Sequence, residues 1–135
     1  MRTFLLKSCI LSAALLFLST QSSAQIFVGD VDINKQDSIS VVEVYVGRRG
    51  PGNWVLVHVD YGQQGNATVK GLGSRNDQST IIDPESRTRI IFKSTAAVLN
   101  FFERNNWDYV NSLSKNDPDS SGFYYYFKKR KNTVL

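Results

Sequence analysis

Cysteine occurs once and histidine once in the 135 residues, and no apolar run is long enough to cross a bilayer. Each scarcity excludes something. The single thiol, Cys9, lies near the start of the chain, so an internal disulfide and a thiolate metal cluster both lack ligands. A spanning helix needs about 20 mostly apolar residues. The longest such run here, Ile10 to Leu18, stops before Ser19-Thr20-Gln21-Ser22-Ser23.

That run has a different meaning. Arg2 and Lys7 precede it, and Ser22 and Ala24 place small residues ahead of Gln25. Charged, apolar and small-residue regions in that order are the mark of an export signal, here 1–24 with cleavage after Ala24. The implied location is the periplasm or the extracellular space, with no transmembrane segment after cleavage. Lys7-Ser8 ahead of Cys9 does not match the pattern for lipid attachment.

The 111 residues that follow contain no cysteine, so packing alone must hold them; one core is expected at this size. They carry 14 basic and 12 acidic residues, and four of the basic ones form the run Lys128-Lys129-Arg130-Lys131. Without that run the balance turns acidic. The sequence therefore carries no basic stripe of the kind a nucleic-acid binder spreads over one face.

Residues 25–38, polar after Val28, read as a loose lead, 39–131 as a single domain and 132–135 as a tail. Ile39 to Val46 and Trp54 to Tyr61 are β-branched and aromatic, with Val55, Val57, Val59 and Tyr61 on one face of the second strand. Arg48-Arg49-Gly50-Pro51-Gly52-Asn53 joins them as a turn. Gly62 to Thr80 is polar and glycine-rich, a long loop. Ile81-Ile82-Asp83 and Arg89-Ile90-Ile91-Phe92 flank a turn at Pro84-Glu85-Ser86, which predicts a small hairpin.

Ser94 caps a helix from Thr95 to Arg104, whose Val98, Leu99, Phe101 and Phe102 form an inward stripe. Asn105-Asn106 stops it. Trp107 to Leu113 and Phe123 to Phe127 read as a closing hairpin around a turn at 116–122. The fold class is α+β: a mostly antiparallel sheet of about four to six strands, with one amphipathic helix packed on one face, in two layers.

The passage Phe92-Lys93-Ser94-Thr95-Ala96-Ala97-Val98-Leu99-Asn100-Phe101-Phe102, then Asn105-Asn106-Trp107-Asp108-Tyr109-Val110, then Tyr124-Tyr125-Tyr126-Phe127-Lys128-Lys129, resembles small exported proteins of Bacteroidetes type. It is similar also to a domain family of unassigned function with a helix, a Gly-Trp-Glu step and two closing strands. Asn106 stands here for the glycine and Asp108 for the glutamate. The resemblance covers about the last third of the chain, with weaker support at Val59-Asp60-Tyr61-Gly62-Gln63. It implies fold and export and brings no activity.

Chemical motifs are sparse. Asp30-Val31-Asp32-Ile33-Asn34 opens like a calcium loop, but Lys35 stands where the turn needs glycine and Val41 where a closing glutamate belongs. Gly71 and Gly73 lack the Lys-Ser/Thr of a phosphate loop. Asn66-Ala67-Thr68 fits a glycosylation acceptor, relevant only to a eukaryotic secretory route. No metal or cofactor is assigned. His58 shares a strand face with Asp60, yet a catalytic triad needs a nucleophile that the spacing does not supply.

The last strand carries aromatics on both faces: Phe123, Tyr125 and Phe127 on one, Tyr124, Tyr126 and Lys128 on the other. One helix covers one set, leaving the other as a platform for a sugar, a peptide or a partner protein, beside Trp54 and His58. Lys128, Lys129, Arg130 and Lys131 form a basic end that guards an edge or attracts an anionic surface. These eight residues are the candidate binding set. The expected function is a non-enzymatic exported binding or interaction module, whose partner is an envelope or secreted protein or a glycan. The alternative is a small secreted hydrolase or an enzyme inhibitor.

Overall fold

The computed structural model describes residues 24–48, 53–63, 78–117 and 120–131. The segment read as an export signal as far as residue 23, with Cys9, residues 64–77 of the expected long loop with the motifs weighed there, residues 49–52 of the first connector, 118–119 of the last turn and the tail 132–135 lie outside the described residues.

The described residues form seven strands and one helix. In chain order they are β1 (Phe27–Val28), β2 (Val31–Asp32), β3 (Val41–Arg48), β4 (Val55–Asp60), β5 (Ile81–Ile82), α1 (Thr95–Arg104), β6 (Trp107–Asp117) and β7 (Ser120–Lys129). The long strands form an antiparallel sheet in the order β4-β3-β7-β6, and the short ones a second in the order β2-β1-β5. The α+β class, mostly sheet with a single helix among the described residues, therefore stands.

Alternation decides what lies between the layers. Val42, Val44 and Val46 of β3, Val59 of β4, Phe127 of β7 and Trp107 of β6 belong to one buried cluster, which Val98 and Phe102 of α1 join. Phe102 stacks on Phe127 with ring centroids 4.6 Å apart and planes 20° apart. The helix starts where a capping side chain is available, the Ala97 N–H donating to Ser94 Oγ at 3.2 Å. It stops at Asn105, and Asn106 takes the left-handed conformation at φ 67° that few residues other than glycine tolerate.

The lead expected to be loose over 25–38 is instead part of the core. Ile26, Val28 and Ile33 are fully buried in the same cluster as the sheet valines. β1 pairs with both β2 and β5, through a turn at Gly29 with φ 58°. Strands of two residues are too short to show a period, so the inward set is invisible until a partner surface exists. The small hairpin at 81–92 is reduced to one bridge, Ile82 to Arg89, around a turn in which Asp83 Oδ1 accepts the Glu85 and Ser86 amides at 3.0 and 2.7 Å. Backbone accepting groups of the same region close the outer edge of β4: Phe92 O takes the Val55 N–H at 2.9 Å and Ser79 O the Val59 N–H at 2.8 Å.

On the sheet face away from the helix, Tyr45 lies flat across two glycines. A Cβ at Gly122 would overlap its ring, and one at Gly47 would come within 2.6 Å of its hydroxyl. The glycines make room for the ring, and the ring covers backbone that they would leave bare. Gly122→Ala is expected to destabilise the domain by about 1–3 kcal/mol. In a Tyr45→Ala background that loss should largely vanish, a non-additivity read from urea melts of the two single variants and the double variant. Phe102→Ala, which opens the helix–sheet contact, is expected to cost about 3–5 kcal/mol in the same assay.

Candidate functional site

Register brings part of the candidate set together on the face away from α1. Tyr45 is opposite both His58 and Tyr124, and Glu43 is opposite both Asp60 and Tyr126. Lys128 continues the same face opposite Val41. Tyr45 is only 8% exposed; its ring centroid is 5.2 Å from that of Tyr124 and 6.5 Å from that of His58. The Tyr126 hydroxyl donates to Glu43 Oε2 at 2.6 Å, which holds its pKa above the ordinary 10.0. Tyr124 and Tyr126 are both half-buried, neither fully open rings nor dry core.

Trp54 does not join them. It lines a shallow cleft at the outer side of β4 with Leu56, Thr80, Ile81 and Arg89, whose enclosed space of about 10 Å³ is room for a single water. β7 lies two strands away, roughly 10 Å across the sheet.

The basic run is not a free patch either. Lys129 turns toward the core side, its Nζ donating to Gln36 O at 2.7 Å and Asn34 O at 3.3 Å and sitting 5.4 Å from the Trp107 ring centre. Removal from water lowers its pKa. Arg130 donates from Nε to Asp108 Oδ1 at 2.8 Å and meets Glu103 Oε2 at 3.2 Å. Its pKa is raised, foremost by the bond to Asp108. Lys128 and Lys131 alone are exposed without a described ion pair. The other charged motif is occupied too: Asp30 pairs with Arg87, and Asp32 with Lys35 at 3.6 Å and with the Asn34 amide at 3.0 Å.

The histidine does meet a hydroxyl, which the sequence spacing did not announce. Nδ1 of His58 is 2.8 Å from Ser79 Oγ. Asp60, two residues on along the same face, accepts the Gly62 N–H at 2.8 Å. Ser79 is buried, so the bond ties the end of the long loop to β4.

The surface that sequence reasoning missed is the outer part of the β6–β7 hairpin. Tyr109, Val110, Leu113 and Phe123 are 47, 57, 55 and 51% exposed. On the helix side, Phe123, Tyr125 and Tyr109 make a row with centroid spacings of 6.2 and 6.4 Å. Tyr109 Oη donates to Ser112 Oγ at 3.1 Å, and Ser114 is opposite Phe123. So the more exposed aromatics lie on the face that the helix was expected to cover. Length was the available signal: ten residues of helix reach about 15 Å, and eleven of strand about 36 Å. One cannot cover the other.

The free edge of β6 is blunted. Glu103 Oε1 accepts the Tyr109 N–H at 3.0 Å, Asn111 Oδ1 accepts the Ser112 N–H at 2.7 Å, and the pairing with β7 is interrupted by a bulge at Val110. Side-chain caps and a bulge both discourage strand addition.

Compared with protein-family models, with curated proteins and with solved structures, the chain matches none.

The Glu43–Tyr126 pair offers a direct check of the outer face. A phenol whose folded pKa is raised contributes stability that is present below pH 10 and lost as pH climbs through the folded value. Glu43→Gln should bring the Tyr126 ionisation, followed by phenolate absorbance against a Tyr126→Phe control, back toward 10. Titration curves that coincide with and without the carboxylate would mean that the bond does not hold in solution.

Proposed function

We propose that this chain is an exported, non-enzymatic binding module whose contact surface is the outer part of the β6–β7 hairpin. One observation carries the reading: Tyr109 and Phe123 are about half exposed at the two ends of an aromatic row on the helix-side face of the hairpin, while the equally exposed Leu113 lies on the opposite face. Apolar surface concentrated in that way on a folded domain marks a contact site. Export rests on residues 1–24, read as a cleaved signal, and on the resemblance of the last third.

The chemistry of the row favours a glycan. Phe123, Tyr125 and Tyr109 present ring faces and edges, and Ser112 and Ser114 and the tyrosine hydroxyls supply donors and acceptors. A sugar offers apolar C–H faces and equatorial hydroxyls to such a surface. Burial keeps the Tyr125 phenol protonated to higher pH than usual. Leu113 and Val110 would suit a protein partner in the envelope instead.

A hydrolase is the second reading, favoured by the Ser79–His58 contact at 2.8 Å. It requires Ser79 to become accessible, and Ser79→Ala separates the two: loss of an ester-cleaving activity with the fold intact would support the enzyme.

Binding is tested by retardation of the protein in gels cast with neutral polysaccharides and by the rise of its melting temperature with added oligosaccharide. Phe123→Ser is expected to weaken retention at least about tenfold, the loss of roughly one exposed aromatic contact, while changing stability by less than about 1 kcal/mol. Retention equal to that of the unaltered protein would remove the hairpin from the site. Loss of a co-purifying envelope protein on Leu113→Asp, with glycan retention absent throughout, would assign the hairpin to a protein partner.

A further inference from the structure

The chain enters its own core two residues after Ala24. Ile26 is fully buried, and its carbonyl accepts the Ile33 N–H at 2.9 Å. Ala24 O accepts one N–H of the Asn34 amide at 2.8 Å; the same amide group donates to Asn105 O at 2.9 Å, and Asn34 Oδ1 accepts the Trp107 indole N–H at 2.6 Å. Ala24 and Gln25 are themselves half-buried. The carbonyl of the peptide bond between them and the backbone that follows it are therefore already committed to the fold.

A peptidase binds its substrate as an extended strand and needs the backbone groups around the scissile bond for itself. Susceptibility to cutting follows burial and hydrogen bonding of the affected backbone, not position near a terminus. We infer that Ala24–Gln25 is a processing site open to cleavage only before the β1–β2 hairpin docks, and that the native fold protects it afterwards. The inference rests on the reading of residues 1–24 as a cleaved export signal. In the step, water adds across the amide: the C–N bond breaks, Ala24 leaves as a carboxylate and Gln25 gains an ammonium group.

Ala24 O is one of the two carbonyls that the Asn34 side-chain amide serves. Cutting after docking would have to break that contact, whereas cutting first removes Ala24 before the contact forms and leaves Asn105 O as the partner of the amide.

The test uses the full 135-residue chain, denatured and then either diluted directly into a purified type I signal peptidase in detergent or allowed to refold before the enzyme is added. Products are read by intact mass. A chain starting at Gln25 is expected promptly from the first arm and at least about tenfold more slowly from the second, where cutting follows the small population of opened molecules. Equal rates would overturn the inference and leave the signal reading in place. Absence of any product starting at Gln25 in both arms would overturn the signal reading itself. A folded Asn34→Ala chain, its cooperative melting confirmed, should regain cutting in proportion to its lost stability; protection as complete as before would also count against the inference.

Discussion

Trp107 is the largest fully buried side chain among the described residues, and its indole N–H cannot go into the core without an acceptor. Asn34, 73 positions earlier, supplies that acceptor and spends its own two N–H groups on Ala24 O and Asn105 O. One amide side chain thereby joins the entry of the chain, the end of α1 and the start of β6. Lys129 closes the arrangement from above the indole, anchored on the carbonyls of Asn34 and Gln36. Removing Asn34 would leave the buried Trp107 indole N–H without its acceptor and take a donor from the part-buried carbonyls of Asn105 and, in the uncut chain, Ala24. The second layer is fixed to the first at this point.

Where local chemistry was sufficient, the sequence was readable. Ser94 and Asn105-Asn106 bracket α1 at the residues observed, since capping and left-handed tolerance are properties of single side chains. The period-2 alternation in β4 and β7 separated their two faces as the register has them. Strand order and the role of 25–38 were not readable, because the burial of Ile26, Val28 and Ile33 is created by partners far along the chain.

The site was legible in composition and not in location. Alternation separated Phe123, Tyr125 and Phe127 from Tyr124, Tyr126 and Lys128 correctly, and the register confirms both faces. What it could not say is how far along the hairpin the helix reaches. α1 covers Phe127 completely and leaves Phe123 half exposed on the same face. The basic run misled for a related reason. Its charges are adjacent in sequence, but alternate residues of a strand point to opposite sides, so Lys129 finds Gln36 and Asn34 O while Lys128 stays in water.

These features also bear on how a partner would approach. A strand at the edge of a sheet ordinarily invites another strand. In β6 two amides are taken by Glu103 and Asn111, and Arg130 holds Glu103 and Asp108 in place beside them. The bulge at Val110 turns the strand out of register with any straight neighbour. The side chains of the same hairpin are nonetheless apolar and exposed on both faces. A surface that blocks backbone pairing while displaying rings and aliphatic groups favours contact through side chains laid across its face over the addition of a further strand.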